Sequence, residues 1–197
     1  MALDGDRQVQ MALPTPAQVL TPGVVTLLVL MILGYALCAL WGEASNALIL
    51  APNGLSLAQP WRLVSYALVD GICGLVMSGL IVLFLGSAME REWRTRSFLL
   101  FSAVVVIACA LLWVGVGTVM GARWPPGNGA QALSYGLIAA FGILHRKRRY
   151  FVFFWTMEAQ HIAWLLIGIG LLASISSPPL LVWVAGAAVA YAYIKLL

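Results

Sequence analysis

Charged residues are scarce in this chain. Of its 197 residues only 9% are Asp, Glu, Lys or Arg, whereas 62% are hydrophobic, and the mean hydropathy is +0.97. A water-soluble domain of this length carries a charge on about a quarter of its residues. The shortage excludes a protein whose surface faces mainly water, so the sequence predicts an integral membrane protein.

Cysteine and histidine are also rare, and their scarcity excludes further classes. The three cysteines all fall within apolar segments, which argues against a disulfide framework. A metal or pigment site at His161 would rest on a single histidine. We therefore expect no metal and no cofactor.

Six apolar segments can be distinguished, at residues 23–41, 63–89, 97–120, 130–144, 151–173 and 179–197. Each is predicted to be a helix, because backbone polar groups in lipid must be satisfied within the segment. The fourth is only ~22 Å long at 1.5 Å per residue, short of the ~30 Å hydrocarbon core. The sequence thus predicts an all-α, polytopic six-helix domain over residues 21–197. A flexible polar tail without a cleavable signal peptide is expected at residues 1–20.

The basic residues predict the orientation of the chain in the membrane. If the amino terminus is cytoplasmic, nine of the eleven lysines and arginines lie inside, and only Arg62 and Arg123 lie outside. This asymmetry follows the positive-inside rule and places both termini in the cytoplasm. The net charge of +4 then reflects topology and contact with anionic lipid headgroups, and no nucleic-acid partner is expected.

Ser134 lies near the start of the short fourth segment. The preceding loop, RWPPGNGAQ at residues 123–131, is rich in proline and glycine and cannot be helical. If this loop enters the membrane from the outer face, the fourth helix starts near mid-membrane and ends at the basic block HRKRR. Ser134 precedes His145 by eleven residues, so its hydroxyl is expected ~16 Å from the inner boundary. It would lie at the base of a hollow that opens outward.

Four stretches, in this order, resemble the rhomboid family of six-helix intramembrane serine proteases and their inactive relatives. PWRLVSYALVDG (60–71) resembles the entry to the second helix, and LFLGSAMEREWRTRSFLLF (83–101) is similar to the family's Gly-x-x-x-Glu-Arg pattern. ALSYGLIAAFG (132–142) stands where the family has Gly-x-Ser-Gly, and WVAGAAVAY (183–191) where it has His-x-x-Gly. The resemblance covers residues 20–197 and implies a rhomboid-like bundle. Glu90, in the turn EREWRTR, is expected to bind that turn's own backbone and arginines.

The resemblance also implies which residues correspond to the family's active site. Rhomboids use a serine on the fourth helix and a histidine on the sixth, with oxyanion donors near the start of the fourth helix and on the second. Ser134 matches the serine, but Trp183 stands at the position of the histidine. Gly74 and Ser78 stand where the second helix of the family has a histidine and an asparagine.

The two glycines that flank the family's serine are replaced by Ala132 and Tyr135. Tyr135 is expected to place a ring between the fourth and sixth helices, and Trp183 to fill the space of the missing imidazole. A serine hydroxyl without a base is a poor nucleophile, and loss of the base removes several powers of ten in rate. The resemblance therefore implies a catalytically inactive relative.

One alternative base is His161, in the fifth segment. It lies eleven residues from Tyr150, at a depth similar to that of Ser134, and Glu158 is one helical turn away on the same face. A Ser134–His161–Glu158 relay is thus an alternative, although the family's fifth helix does not supply the base. Otherwise Glu158 and His161, with Asp70 in the second segment, are candidate contacts to a partner, because intramembrane ionisable groups usually face protein or water. For Asp70 the alternative is that it caps a helix or pairs near the outer surface.

Three functions remain open from the sequence. The first is a rhomboid-like pseudoprotease that binds or positions a transmembrane helix of another protein, as inactive rhomboid relatives do. The second is an accessory structural subunit of a larger membrane complex. The third is an active intramembrane serine protease that uses Ser134 with His161. The absence of a targeting segment favours a bacterial inner (plasma) membrane as the location.

Overall fold

The structure, a computed structural model, describes residues 20–50, 59–121, 124–146, 149–152, 155–176 and 179–196. Within these ranges the chain is helical apart from one short pair of strands, so the predicted helical class is confirmed in its main part. The expected polar tail over residues 1–20 lies outside the described residues, except for Leu20.

The first predicted segment forms helix α1, which spans Pro22–Leu40. A proline at the first helical position suits this start, because its missing N–H would have no partner within the helix. Two short helices follow, α2 (Gly42–Leu48) and α3 (Arg62–Ser65), and a 3₁₀ turn (Tyr66–Leu68) continues α3.

The second predicted segment is not one continuous helix, which corrects the expectation from the sequence. The backbone is extended at Val69 and Gly71, and the next helix, α4, spans Ile72–Ile81. Between the two extended residues, the Asp70 carboxylate accepts a hydrogen bond from the N–H of Gly71 at 2.9 Å. Such local side-chain bonds compete with the helical pattern, which explains why the helix restarts here.

The second and third segments are joined by a π-helical turn (Val82–Gly86) and helix α5 (Ser87–Met120). Arg94 interrupts α5 with a φ of 67°, a region that residues other than glycine rarely adopt. A Cβ placed on Gly86 would lie 3.1 Å from Cζ of Phe98. Twelve residues of straight helix would separate the two by ~18 Å, so the chain reverses at Arg94 and forms a helical hairpin.

Helix α6 spans Gln131–Leu144 and matches the short fourth segment. The loop before it packs against protein on two sides. Gly127 exchanges two backbone hydrogen bonds of 2.9 Å with Leu50, and Gly129 donates its N–H to the carbonyl of Tyr66 at 2.9 Å. Gly129 has a φ of 93°, a conformation that glycine adopts without strain.

The fifth helix begins eight residues later than the sequence predicted. Strands β1 (Arg149–Val152) and β2 (Trp155–Glu158) pair antiparallel, with Arg149 opposite Glu158, and helix α7 spans Ala159–Ser176. The strands are rich in aromatic and β-branched residues, which favour extended backbone over helix. Glu158 therefore ends a strand, and His161 is the third residue of α7.

Helix α8 spans Pro179–Leu196 and matches the sixth segment. Among the residues that the structure describes, three helical stretches are long and apolar enough to cross a membrane, namely Pro22–Leu40, Ile72–Met120 and Pro179–Leu196. The apolar stretches Gln131–Leu144 and Ala159–Ile175 are shorter. The count of six crossings and the orientation of the termini remain predictions. Helix α6 is central, since it packs against α8 most extensively and also against α7 and α5.

Candidate functional site

Ser134 lies in the first turn of α6 and is buried, with 6% of its surface exposed. Its Oγ donates a hydrogen bond to the carbonyl oxygen of Ala130 at 3.1 Å, one turn earlier in the chain. The hydroxyl proton is thus directed at the helix backbone. This is a common arrangement for a serine inside a helix, and it supplies no activation for nucleophilic attack.

Trp183, which by the resemblance stands where rhomboid proteases have their histidine, is buried between two other aromatic rings. Its ring stacks on Trp113 with a centroid distance of 4.3 Å and on Tyr66 at 5.5 Å. The hydroxyl of Tyr66 donates to the carbonyl of Val106 at 2.8 Å, which fixes the outer ring of the stack. Trp183 therefore occupies its site as part of an aromatic column joining the 3₁₀ turn, α5 and α8.

Helices α6 and α8 approach closely through small residues. A Cβ placed on Gly186 would lie 2.5 Å from the carbonyl oxygen of Ala132. One placed on Gly136 would lie 3.5 Å from the carbonyl oxygen of Gly186, and 2.8 Å from Cγ1 of Val105 on α5. Only a residue without a Cβ fits at either glycine. In lipid, where apolar surface gains little by leaving the solvent, this close backbone contact supplies much of the attraction between helices.

Tyr135 does not lie between α6 and α8, which corrects the prediction for this residue. Its ring lies against α7 instead, where a Cβ placed on Gly170 would be 2.5 Å from the Tyr135 oxygen. Consecutive residues of a helix point about 100° apart, so the face that holds Ala132 and Gly136 toward α8 directs Tyr135 elsewhere. The sequence offered the glycine at 170 as the only hint of this contact.

Asp70 is directed at the start of α6 and is half-buried. Its Oδ2 accepts from the backbone N–H of Ala130 at 3.4 Å, and its Oδ1 accepts from Gly71. A carboxylate at the amino end of a helix is favourable, because it faces unpaired N–H groups and the positive end of the dipole. Asp70 thus contacts the start of α6, in agreement with the capping alternative, and its role as a partner contact stays a prediction.

Gly74 and Ser78, which by the resemblance stand where rhomboid proteases have oxyanion donors, have different surroundings. A Cβ on Gly74 would overlap the Asp70 carboxylate, so the absence of a side chain at Gly74 provides the space for that of Asp70. Ser78, one turn later on α4, is buried. Gly74 has no side chain that could donate to an oxyanion.

His161 and Glu158 lie at the start of α7 and are neighbours, with Nδ1 and Oε2 3.8 Å apart. The start of α7 packs against the carboxyl end of α6, where a Cβ on Gly142 would overlap Ala163. Ser134 is eight residues before Gly142, about 12 Å along the helix. The depth argument for a Ser134–His161–Glu158 relay therefore fails. The imidazole of His161 is 60% exposed and faces away from the core.

The second histidine, His145, forms a contact that the sequence did not predict. It caps the carboxyl end of α6 and is buried, its ring stacks on Phe141, and its Nε2 lies 3.1 Å from Oε1 of Glu92. This pair joins α6 to the turn of the α4–α5 hairpin. The i, i+4 spacing of Phe141 and His145 was the only local signal. Both histidines of the chain thus lie at the end of α6 opposite Ser134.

Glu90 does not bind the arginines of its own turn, as the sequence suggested, but mainly the start of α1. The side chain is buried, and its carboxylate accepts hydrogen bonds from the backbone N–H groups of Gly23 (2.7 Å) and Val24 (2.9 Å). The hydroxyls of Thr21 (2.5 Å) and Thr95 (2.6 Å) also donate to it. The Thr95 bond is the one contact within its own turn. Glu90 therefore caps a helix 66 residues away in sequence.

Ser134 lines neither of two cavities, of about 510 Å³ each, that lie among the described residues. One lies among α6, α7 and α8, and the other lies at the turn around Arg94. Across the described ranges, no three histidine, cysteine or acidic side chains come close enough to hold a metal ion.

Comparison with known proteins gives one match. No curated protein and no solved structure matches the chain. The family described as "Eukaryotic integral membrane protein (DUF1751)" matches residues 24–197, which include every helix of the structure except the first two residues of α1. The chain therefore belongs to this family of integral membrane proteins.

Proposed function

We propose that the protein is a rhomboid-like pseudoprotease that binds or positions a transmembrane helix of another protein without cutting it. One observation carries the proposal. The Ser134 hydroxyl donates to the carbonyl of Ala130, and Trp183 is stacked between two aromatic rings at the position where rhomboid proteases have their base. A peptidase site needs a proton acceptor beside its serine. The contacts of Ser134 and Trp183 therefore support a binding role without catalysis.

The positions of the two histidines support the same proposal. His145 is bound in its contact with Glu92, and His161 lies at the start of α7, about two helical turns below Ser134. Neither imidazole is placed to take the proton of Ser134. The second helix would also contribute no oxyanion donor at Gly74.

The start of α7 is the part of the molecule that best suits a partner contact. His161 is exposed next to Glu158, and Trp164, one turn further along the same helix, is 71% exposed. Polar groups near a membrane are costly unless they face water or protein, and exposed aromatic side chains are enriched at binding sites. A helix that passes along α7 would cover both types of group.

The absence of proteolysis can be tested with a fluorophosphonate probe, which labels activated serines. We expect equal background labelling of the wild-type protein and of the Ser134→Ala variant in detergent, because the hydroxyl has no base. Labelling of the wild-type protein that is lost in Ser134→Ala would support the protease function and contradict the proposal.

Partner binding can be tested with a photo-crosslinking residue at position 161, compared with one at Ile175 near the other end of α7. We expect crosslinks to a small set of membrane proteins from position 161 and fewer from position 175, at low occupancy in mild detergent. Co-migration of the whole population with a single stoichiometric assembly would instead favour the accessory-subunit function. No crosslink at either position would contradict both.

The proposed orientation has both termini in the cytoplasm, and its support is the distribution of basic residues. The matched family is described as eukaryotic, so nothing supports the bacterial inner membrane that was expected from the sequence.

A further inference from the structure

The cavity among α6, α7 and α8 is a groove with an apolar body and a cationic end. Its walls are mostly small or aliphatic side chains, such as Ala139, Ile167 and Val184, together with the aromatic side chains of Trp164 and Tyr191. At one end the lining changes to Arg146 and Gln160. The groove is neither part of the Ser134 region nor one of the polar contacts already described.

Small residues create this groove. Three alanines on α8 line it, and on α6 the lining residues Ala139 and Gly142 leave room beside them. Larger side chains at these positions would close the space between α6 and α8 on the side that faces α7. The volume of about 510 Å³ is within the range of sites that hold a small amphipathic molecule.

The length of the groove fits one leaflet of a bilayer. It follows α7 from Gln160 to Leu171, eleven residues or ~16 Å of helix. Half of the ~30 Å hydrocarbon core is about 15 Å. A partner helix that spans the membrane would be about twice as long as the groove and would extend beyond it. An acyl chain from one leaflet would end within the groove.

The charge at the open end suits a phosphate. Arg146 is exposed, and its Nε donates to Oε1 of Gln160 at 2.8 Å, which positions the guanidinium over the groove. The amide of Gln160 in turn donates to Oε2 of Glu158 at 2.7 Å. Arg146 is thus a cation at the end of an otherwise apolar groove. A planar guanidinium binds phosphate oxygens in pairs.

We propose that this groove is a binding site for one anionic phospholipid. An acyl chain lies along α7 between α6 and α8, and the phosphate lies at Arg146. Gln160 holds the guanidinium in place and Glu158 holds Gln160. The lipid fills the space left by the small residues and links α7 to the two helices behind it.

The test is lipid binding to the full-length purified protein in detergent, after delipidation, measured by native mass spectrometry and by thermal shift. Phosphatidylglycerol is compared with phosphatidylcholine of the same chains. We expect phosphatidylglycerol to bind the wild-type protein more tightly and to raise its melting temperature more. Arg146→Gln should weaken phosphatidylglycerol binding about fivefold, the effect of one cation near a lipid headgroup.

Lys195→Gln is the matched control, because it removes one exposed positive charge near the end of α8, outside the groove. It should leave phosphatidylglycerol binding within twofold of wild type. Equal binding of the two lipids by the wild-type protein would overturn the proposal without any variant. So would equal loss in Arg146→Gln and Lys195→Gln, or a protein segment recovered from the groove in place of lipid.

Discussion

The carboxylate of Glu90 connects the turn of the α4–α5 hairpin to the start of α1. Two backbone N–H groups and two hydroxyls donate to it, and Gly23 lies so close that a Cβ there would be 2.8 Å from Oε2. The first N–H groups of a helix have no partner within it, and a buried carboxylate satisfies them with charge-assisted bonds. One residue thus fixes the position of the first helix.

We expect Glu90→Gln to destabilise the protein by about 2 kcal/mol, the usual scale for buried hydrogen bonds to a charged group. The amide has the shape of the carboxylate, but its NH₂ would face donors. Glu158→Gln is the control, since that carboxylate is partly exposed and should cost less than about 1 kcal/mol. Thermal unfolding in detergent measures both, and equal shifts would contradict the capping role of Glu90.

Residue identity was enough to show that no histidine lies on α8, but not what Trp183 contacts. The stacking of Trp183 on Trp113 and Tyr66 depends on residues 70 and 117 positions away. The same applies to Tyr135, whose ring contacts α7. Side-chain direction is set by the helix face, and the face is set by neighbours distant in sequence.

At the scale of elements, the contact of α6 with α8 depends on Gly186, a position that admits only glycine. The carbonyl of Ala132 and the side chain of Cys109 would lie 2.5 and 3.4 Å from a Cβ on Gly186. Because Cys109 is on α5 and Ala132 on α6, Gly186 is where three helices meet. Any added volume must separate them.

We expect Gly186→Ala to lower stability by roughly 1–3 kcal/mol, because overpacking moves backbone and not only a flexible side chain. Gly168→Ala is the matched control, since Gly168 is in the middle of α7 with nothing within 4 Å of its Cβ position. That variant should be neutral or slightly more stable, as alanine favours helix over glycine. The measurement is the melting temperature of each variant relative to wild type, and equal changes in the two variants would contradict the prediction.

The ends of elements show where local sequence is informative. The bounds of α1, α6 and α8 agree with the apolar segments to within one residue, because composition changes sharply at their ends. The predicted start of α7 does not agree, since residues 151–157 are as apolar as the helix that follows. Apolar runs of this length do not distinguish helix from strand.

At the scale of the whole molecule, much of the surface is apolar. Large hydrophobic side chains are exposed on α1, α4, α5, α7 and α8, among them Leu40, Met77, Leu111, Leu172 and Leu181. In water such a surface would drive aggregation, whereas in a bilayer it is the surface that lipid covers. This distribution agrees with membership of an integral membrane family.

The predicted orientation has a direct test in a bacterial host. Fused after the carboxyl terminus, green fluorescent protein should fluoresce and alkaline phosphatase should be inactive, because the phosphatase needs disulfides that form outside the cytoplasm. Fused after Asn128, in the loop before α6, the two reporters should give the opposite pattern. Reversal of both results would place the termini outside and contradict the positive-inside assignment.

The sequence by itself determined that this is an integral membrane protein. It also determined the approximate bounds of the main apolar helices and showed that α8 carries no histidine to act on the serine of α6. These properties depend on composition and on residue identity, which are local. Only the tertiary structure decided that Glu90 caps α1, that Asp70 faces α6, that His161 is far from Ser134 and that a groove remains beside α7. Each of these is a contact between residues distant in sequence, and its energy is gained only when the helices have packed.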